Sequence, residues 1–159
     1  MTGDRIVSPR VCHISVAALL WLSLTAALHA STPPNIVFIL ADDLGYGDLA
    51  CYGAGDIHTP NIDRLAREGM RFTDYYAAAS TCSPSRAALM TGRYPPRTGV
   101  NAVLRYDTVE GLPLEEVTLA EMLRDAGYAT AMIGKWHLGQ VEALMPWHQG
   151  FDSFFGTAT

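Results

Sequence analysis

Asn35-Ile36-Val37-Phe38-Ile39-Leu40-Ala41 is a continuous apolar run rich in β-branched residues. Such a run reads as a strand buried on both faces, which favours a parallel sheet. Tyr128 to Gly134 has the same character, and Met70 to Ala77 carries β-branched and aromatic residues suited to a further strand. Elsewhere the period is helical. Thr59 to Gly69 reads as a capped helix, with Thr59 as N-cap, Pro60 at the first position, Ile62, Leu65 and Ala66 on one face, and Gly69 as the stop. Thr118 and Glu121 form a capping box for another helix ending at Gly127, with Leu119, Met122, Leu123 and Ala126 towards the core. Leu44 to Ile57 is a glycine-rich loop, and residues 101–114 have no period and read as loops. Tyr94 to Gly99 reads as irregular, because consecutive prolines cannot continue a helix. Phe154-Phe155-Gly156 reads as part of a loop before the next strand. The alternation predicts an α/β fold with a mainly parallel sheet flanked by helices.

Composition narrows this picture. A chain of 159 residues that is 49% hydrophobic and 17% charged has the make-up of a globular domain with a core, not of a disordered segment. The net charge of −5 and the lack of any basic run argue against a nucleic-acid surface. An acidic protein acting on an anion must concentrate positive charge locally, and Arg86, Arg93, Arg97 and Lys135 are the candidates. Residues 1–30 read as an export signal: Arg5 and Arg10 flank the apolar Ile14 to Leu28, and Ala30 precedes a cleavage point. An uncleaved anchor is the competing reading, although the apolar run is shorter than the ~20 residues of a comfortable membrane span. Residues 31–34 form a short linker, and residues 35–159 the folded part. Removal of the signal takes Cys12 with it and leaves Cys51 and Cys82.

The candidate chemistry gathers at three places. Thr81 to Arg93 reads as a short helix with Cys82 just ahead of its first turn, Ser83 as N-cap, Pro84 at the first position and Gly92 as C-terminal cap. At such a helix end the free N–H groups and the dipole favour an anion, and Arg86, one turn on, adds a full positive charge. Cys82 is also readable as a small buried hydrophobe, or as half of a disulfide with Cys51. Asp42-Asp43 ends the first apolar run; the pair is either a solvated turn or two carboxylates sharing a cation. Lys135 and His137 follow the strand at 128–134, and if the extended backbone continues they share a side. Each alone is also readable as a surface charge or a satisfied histidine. The ends of parallel strands are where α/β sheets bind ligands, so the three places can converge.

Cys82, Pro84, Ser85, Arg86, Leu89, Thr91, Gly92 and Arg93 together resemble the signature of the type I sulfatases. Asp42-Asp43 and Gly134-Lys135-Trp136-His137-Leu138-Gly139 are similar to two further stretches of that family, in the family's order. Gly111 to Thr118 and His148-Gln149-Gly150-Phe151 look most like the arylsulfatase A and N-acetylgalactosamine-6-sulfatase group. The resemblance covers most of residues 35–156 and implies an alkaline-phosphatase-like fold.

It also implies a mechanism. The signature cysteine is oxidised by a formylglycine-generating maturation enzyme, and the hydrated aldehyde attacks the sulfur of a sulfate ester. Loss of a proton from its second hydroxyl then releases sulfate. By this resemblance Cys82, Arg86, Lys135 and His137 are catalytic, with Lys135 holding sulfate oxygens. His137 takes the proton, a task that suits imidazole because it exchanges protons near neutral pH. Asp42, Asp43 and the converted Cys82 are expected to ligate Ca2+ or another divalent cation such as Mg2+. Family catalytic domains are considerably longer, so residues 1–159 are expected to be an N-terminal portion, incomplete at the C-terminus and inefficient alone. The alternatives are a phosphonate or phosphodiester hydrolase of the same superfamily, or a non-catalytic binding protein with a Cys51–Cys82 bridge. Rates on an aryl sulfate set against phosphonate or phosphate-diester analogues separate the first, and a Cys51–Cys82 disulfide would mark the second.

Overall fold

A computed structural model describes residues 32–159. The expected export signal and Cys12 lie outside the described residues. The chain divides into two units, Met1–Leu40 and Ala41–Thr159. In the first unit, described residues 32–40 form neither helix nor strand and are exposed, Val37 at 83% and Ile39 at 82%. The expected strand at 35–41 is therefore not formed. A strand exists only when its N–H and C=O groups meet a neighbour, and among the described residues none pairs with this run.

In the second unit the helices are α1 (Pro60–Glu68), α2 (Cys82–Thr91), α3 (Pro95–Thr98) and α4 (Leu119–Asp125), and the strands are β1 (Ala131–Lys135) and β2 (Ser153–Thr157). The strands pair in parallel, with Ala131 opposite Ser153 and Lys135 opposite Thr157. The sheet is thus parallel, as the buried runs suggested, but its second strand is the Phe154-Phe155-Gly156 stretch expected to be a loop. Gly134 and Gly156 face each other across this ladder, and a Cβ on Gly156 would collide with the Gly134 carbonyl.

Other expectations are corrected by burial. Residues 70–77, read as a strand, are irregular and exposed, Met70 at 79% and Tyr76 at 81%. Tyr94 to Gly99 contains the turn α3, because Pro95 and Pro96 occupy its first positions, where no N–H is needed. In α4 the capping box forms as written: Thr118 accepts from the Glu121 N–H, and Glu121 accepts from the Thr118 N–H. Its buried residue is Ala120, however, while Leu119 and Met122 are exposed. The capping hydroxyl fixes this, since Thr118 also donates to the Gln149 carbonyl at 2.8 Å and so turns the Ala120 side inward.

The core consists of Ala87, Val100, Leu112, Trp136 and Leu138, with Met90, Leu104, Met132, Phe151 and Phe154 packed around it. Trp136 and Phe151 pack in a T shape with ring centroids 6.1 Å apart, and the Trp136 indole N–H donates to the Leu144 carbonyl at 3.0 Å. Loop 101–114 has no regular structure yet is pinned to this core. The Leu112 N–H donates to the Leu138 carbonyl at 2.7 Å, and Gly111 lies so close that a Cβ there would meet the Leu138 carbonyl and Gly139. Burial of Ala87 against Trp136 and Leu138 thus brings α2 to the C-terminal end of β1.

Candidate active site

α2 begins at Cys82, with Thr81 as the N-cap in an extended conformation, so the cysteine is the first helical residue. The expected N-cap, Ser83, lies inside the helix, fully buried, and its hydroxyl accepts from the Leu104 N–H at 3.1 Å. No side chain caps this end, so it keeps free N–H donors for a ligand. Gly92 closes the helix in the left-handed region, as expected (φ 66°). The Cys82 and Cys51 thiols are both free, so the two are not bridged in this structure.

Four residues along the same helix face as Cys82, Arg86 reaches across to β1. Its Nη1 donates to the Lys135 carbonyl at 2.5 Å, and its Nη2 donates to Asp42 Oδ1 at 3.0 Å. Lys135 Nζ donates to the other oxygen, Asp42 Oδ2, also at 3.0 Å. One carboxylate is therefore held between two cations. The Lys135 hydrogen bond, then that from Arg86, holds the Asp42 carboxyl below its ordinary value of 3.8. The guanidinium is well buried and its Nε has no acceptor among the described residues.

Asp43 is exposed and lies in the left-handed region (φ 58°), as does His137 (φ 55°); among the described residues these are the non-glycine positions with positive φ. Both were marked as site residues by the sequence. Backbone held in this region is strained, and strain of this kind gathers at functional sites. For His137 it also overturns the expected geometry. The backbone does not continue extended, so Lys135 and His137 have different partners: Lys135 Nζ meets Asp42, whereas His137 Nε2 meets the Leu104 carbonyl at 2.8 Å. The ring is buried, and Nδ1 has no partner among the described residues.

Asp42 and Asp43 are hard oxygen donors and suit a divalent cation in kind. Among the described residues no group of three or more His, Cys, Asp and Glu side chains forms a ligand cluster, so Asp42, Asp43 and Cys82 are not assembled into one. In this arrangement the Asp42 carboxylate faces Arg86 and Lys135. Of the four candidate cations, only those two converge. Arg93 Nη1 instead pairs with Glu116 Oε1 at 2.5 Å, and Arg97 lies in the last turn of α3. Ser83 and the Leu104 backbone are contacts that sequence reasoning missed. A hydroxyl on a backbone N–H and a carbonyl on an imidazole leave no side-chain pattern to read.

The arrangement places a cysteine at an open helix end, with Arg86 one turn along that helix bound to Lys135 and Asp42, and a buried histidine joined to the same helix through one loop residue. Positive charge gathered beside an open helix end suits an anion. The Sulfatase family matches residues 34–159, and the chain belongs to that family. It is 57% identical over 140 residues to human arylsulfatase A, covering 86% of this chain and 28% of that protein. It is 58% identical over 123 residues to arylsulfatase G of Rattus norvegicus, covering 77% of this chain and 23% of that protein. The crystal structure of Ps i-CgsB superposes with a TM-score of 0.75 at 44% identity, over 79% of this chain and 29% of that one. The chain thus spans less than a third of the length of these relatives, and its fold is part of an alkaline-phosphatase-like domain. Among the described residues no helix is long and apolar enough to cross a membrane.

Proposed function

We propose that the protein containing this chain hydrolyses sulfate esters through position 82, with Arg86, Lys135 and His137 as its other catalytic residues here. The observation that carries the reading is the Arg86 fork, which ties the Cys82 helix to Lys135 and Asp42 at the end of β1. Oxidised to formylglycine, position 82 would supply a hydrated aldehyde, a nucleophile that releases its product by reverting to the carbonyl. A divalent cation, Ca2+ or Mg2+, held by Asp42, Asp43 and that converted side chain would neutralise charge on the sulfate oxygens.

This chain's residues then have distinct tasks. The open N–H groups of α2 and the Arg86 guanidinium attract the sulfate and orient it by hydrogen bonds. Lys135, partly exposed at the strand end, shares its ammonium between Asp42 and the arriving anion, so a fixed positive charge stands where negative charge develops. His137 accepts a proton in the release step, and buried Trp136 and Leu138 around it keep bulk water away. Export by residues 1–30 and conversion by a formylglycine-generating enzyme belong to the same proposal.

The test is turnover of an aryl sulfate by the full-length protein, set beside an aryl phosphate diester and an aryl phosphonate. The proposal expects the sulfate to be preferred and Lys135→Ala to raise KM. Preference for the phosphorus substrates would replace this reading with a phosphohydrolase. Inactivity on all three, with Cys82 paired to Cys51, would favour a binding protein.

A further inference from the structure

The hydrogen bonds around His137 assign its ring nitrogens different roles. The partner of Nε2 is the Leu104 backbone carbonyl, which can only accept, so Nε2 must carry the hydrogen. Nδ1 lies buried with no partner among the described residues. A second N–H there would be a buried donor without an acceptor, whereas a lone pair is an acceptor left open for an incoming donor. His137 also has a positive φ, so its ring is held by surroundings and not by a relaxed backbone.

What holds Leu104 in place is Ser83. The Leu104 N–H donates to Ser83 Oγ at 3.1 Å, and Ser83, fully buried, directly follows Cys82 on α2. The helix start is thereby joined to the histidine through one residue's backbone: Ser83 hydroxyl, Leu104 N–H, Leu104 carbonyl, His137 Nε2–H. We propose that Ser83 is a positioning residue for His137, fixing the Nε2–H tautomer through Leu104 so that Nδ1 is the atom that takes the proton. The idea rests on the sulfatase reading for its consequence in catalysis, but not for the tautomer itself. In the step concerned, the free hydroxyl of the converted residue 82 would give its proton to Nδ1, and the oxygen's electron pair would re-form the C=O bond. The C–O bond to sulfate would break so that sulfate leaves with the electrons of that bond, the imidazolium keeping its Nε2–H on the Leu104 carbonyl. No oxidant or further reactant is needed.

The experiment compares the full-length protein with its Ser83→Ala and Ser83→Thr variants. Histidine is labelled with 15N, and the His137 signal is identified by its loss in His137→Asn. The wild type is expected to show a pyridine-like Nδ1 and a protonated Nε2. Ser83→Ala should mix the tautomers, and Ser83→Thr, which keeps the hydroxyl, should restore the wild-type pattern. On an aryl sulfate, Ser83→Ala should lower kcat and KM together by about tenfold while kcat/KM stays near wild type, because a step after sulfate transfer is slowed. A general structural defect would instead lower kcat/KM and leave the tautomer unchanged. A protonated Nδ1 in the wild type, or a tautomer unaffected by Ser83→Ala, would overturn the proposal even in an active enzyme. A wild type with the expected tautomer but no sulfate turnover would overturn the sulfatase reading and with it Ser83's catalytic role.

Discussion

Replacing Arg86 with methionine keeps the volume and helix propensity of the side chain but removes the fork that joins α2 to β1. Hydrogen bonds to charged groups contribute about 1.5–3 kcal/mol each. The bond to the Lys135 carbonyl should count nearly in full, since the Arg86 side chain is only 10% exposed. The bond to Asp42 counts for less, under about 1 kcal/mol, because that side chain is 46% exposed and water screens the pair. Against these losses, methionine also removes Nε, which is buried without an acceptor, and this offsets about 1 kcal/mol. The net expectation for Arg86→Met is therefore a loss of about 2 kcal/mol.

The assay is urea unfolding of the full-length protein in a Cys82→Ala background, so that conversion at position 82 cannot contribute. Asp42→Asn and the double variant complete a cycle, and the coupling between Arg86 and Asp42 should stay under about 1 kcal/mol. A change below about 0.5 kcal/mol for Arg86→Met, the range of an ordinary surface substitution, would refute the claim that this fork holds the helix to the strand end.

Two further expectations follow from the same geometry. The lowered pKa of Asp42 means that its pairing stabilises the fold above the ordinary carboxylate value of 3.8 and is lost as pH falls through the lower folded value. The stability difference between wild type and Asp42→Asn should thus be constant near neutrality and shrink below pH 3.8; a difference that widens with acid would contradict the assigned pairs. Gly156→Ala should disrupt the β1–β2 ladder, because its Cβ would fall on the Gly134 carbonyl, a backbone atom that cannot yield. Loss of about 3 kcal/mol or more, or of soluble protein altogether, is expected, and wild-type urea stability would contradict the register.

Some elements of this fold were legible in the sequence and others were not, for physical reasons visible at particular residues. Helix ends are written locally, so the Thr118–Glu121 box and the Gly92 cap could be read directly. Burial is not local. The run at 36–40 has the composition of a buried strand and is nevertheless exposed, since composition cannot supply the neighbouring strand that would cover it. Phe154 and Phe155 read as a loop, yet they pair with Met132 and Ile133 of β1, and Gly156 permits the close approach to Gly134. The candidate site residues stood out by type and spacing, but their contacts did not. The path from Ser83 to His137 runs through the Leu104 backbone, which is chemically the same for any residue except proline, and the left-handed turn at His137 has no glycine to announce it.

Sulfatase chemistry here requires that Cys82 be the precursor of the working nucleophile. The most direct measurement is the mass of the tryptic peptide Phe72–Arg86, from full-length protein made in its native host. An aldehyde is expected in place of the Cys82 thiol. An unmodified Cys82, or one joined to Cys51, would contradict it and leave a sulfatase-family fold without sulfatase chemistry.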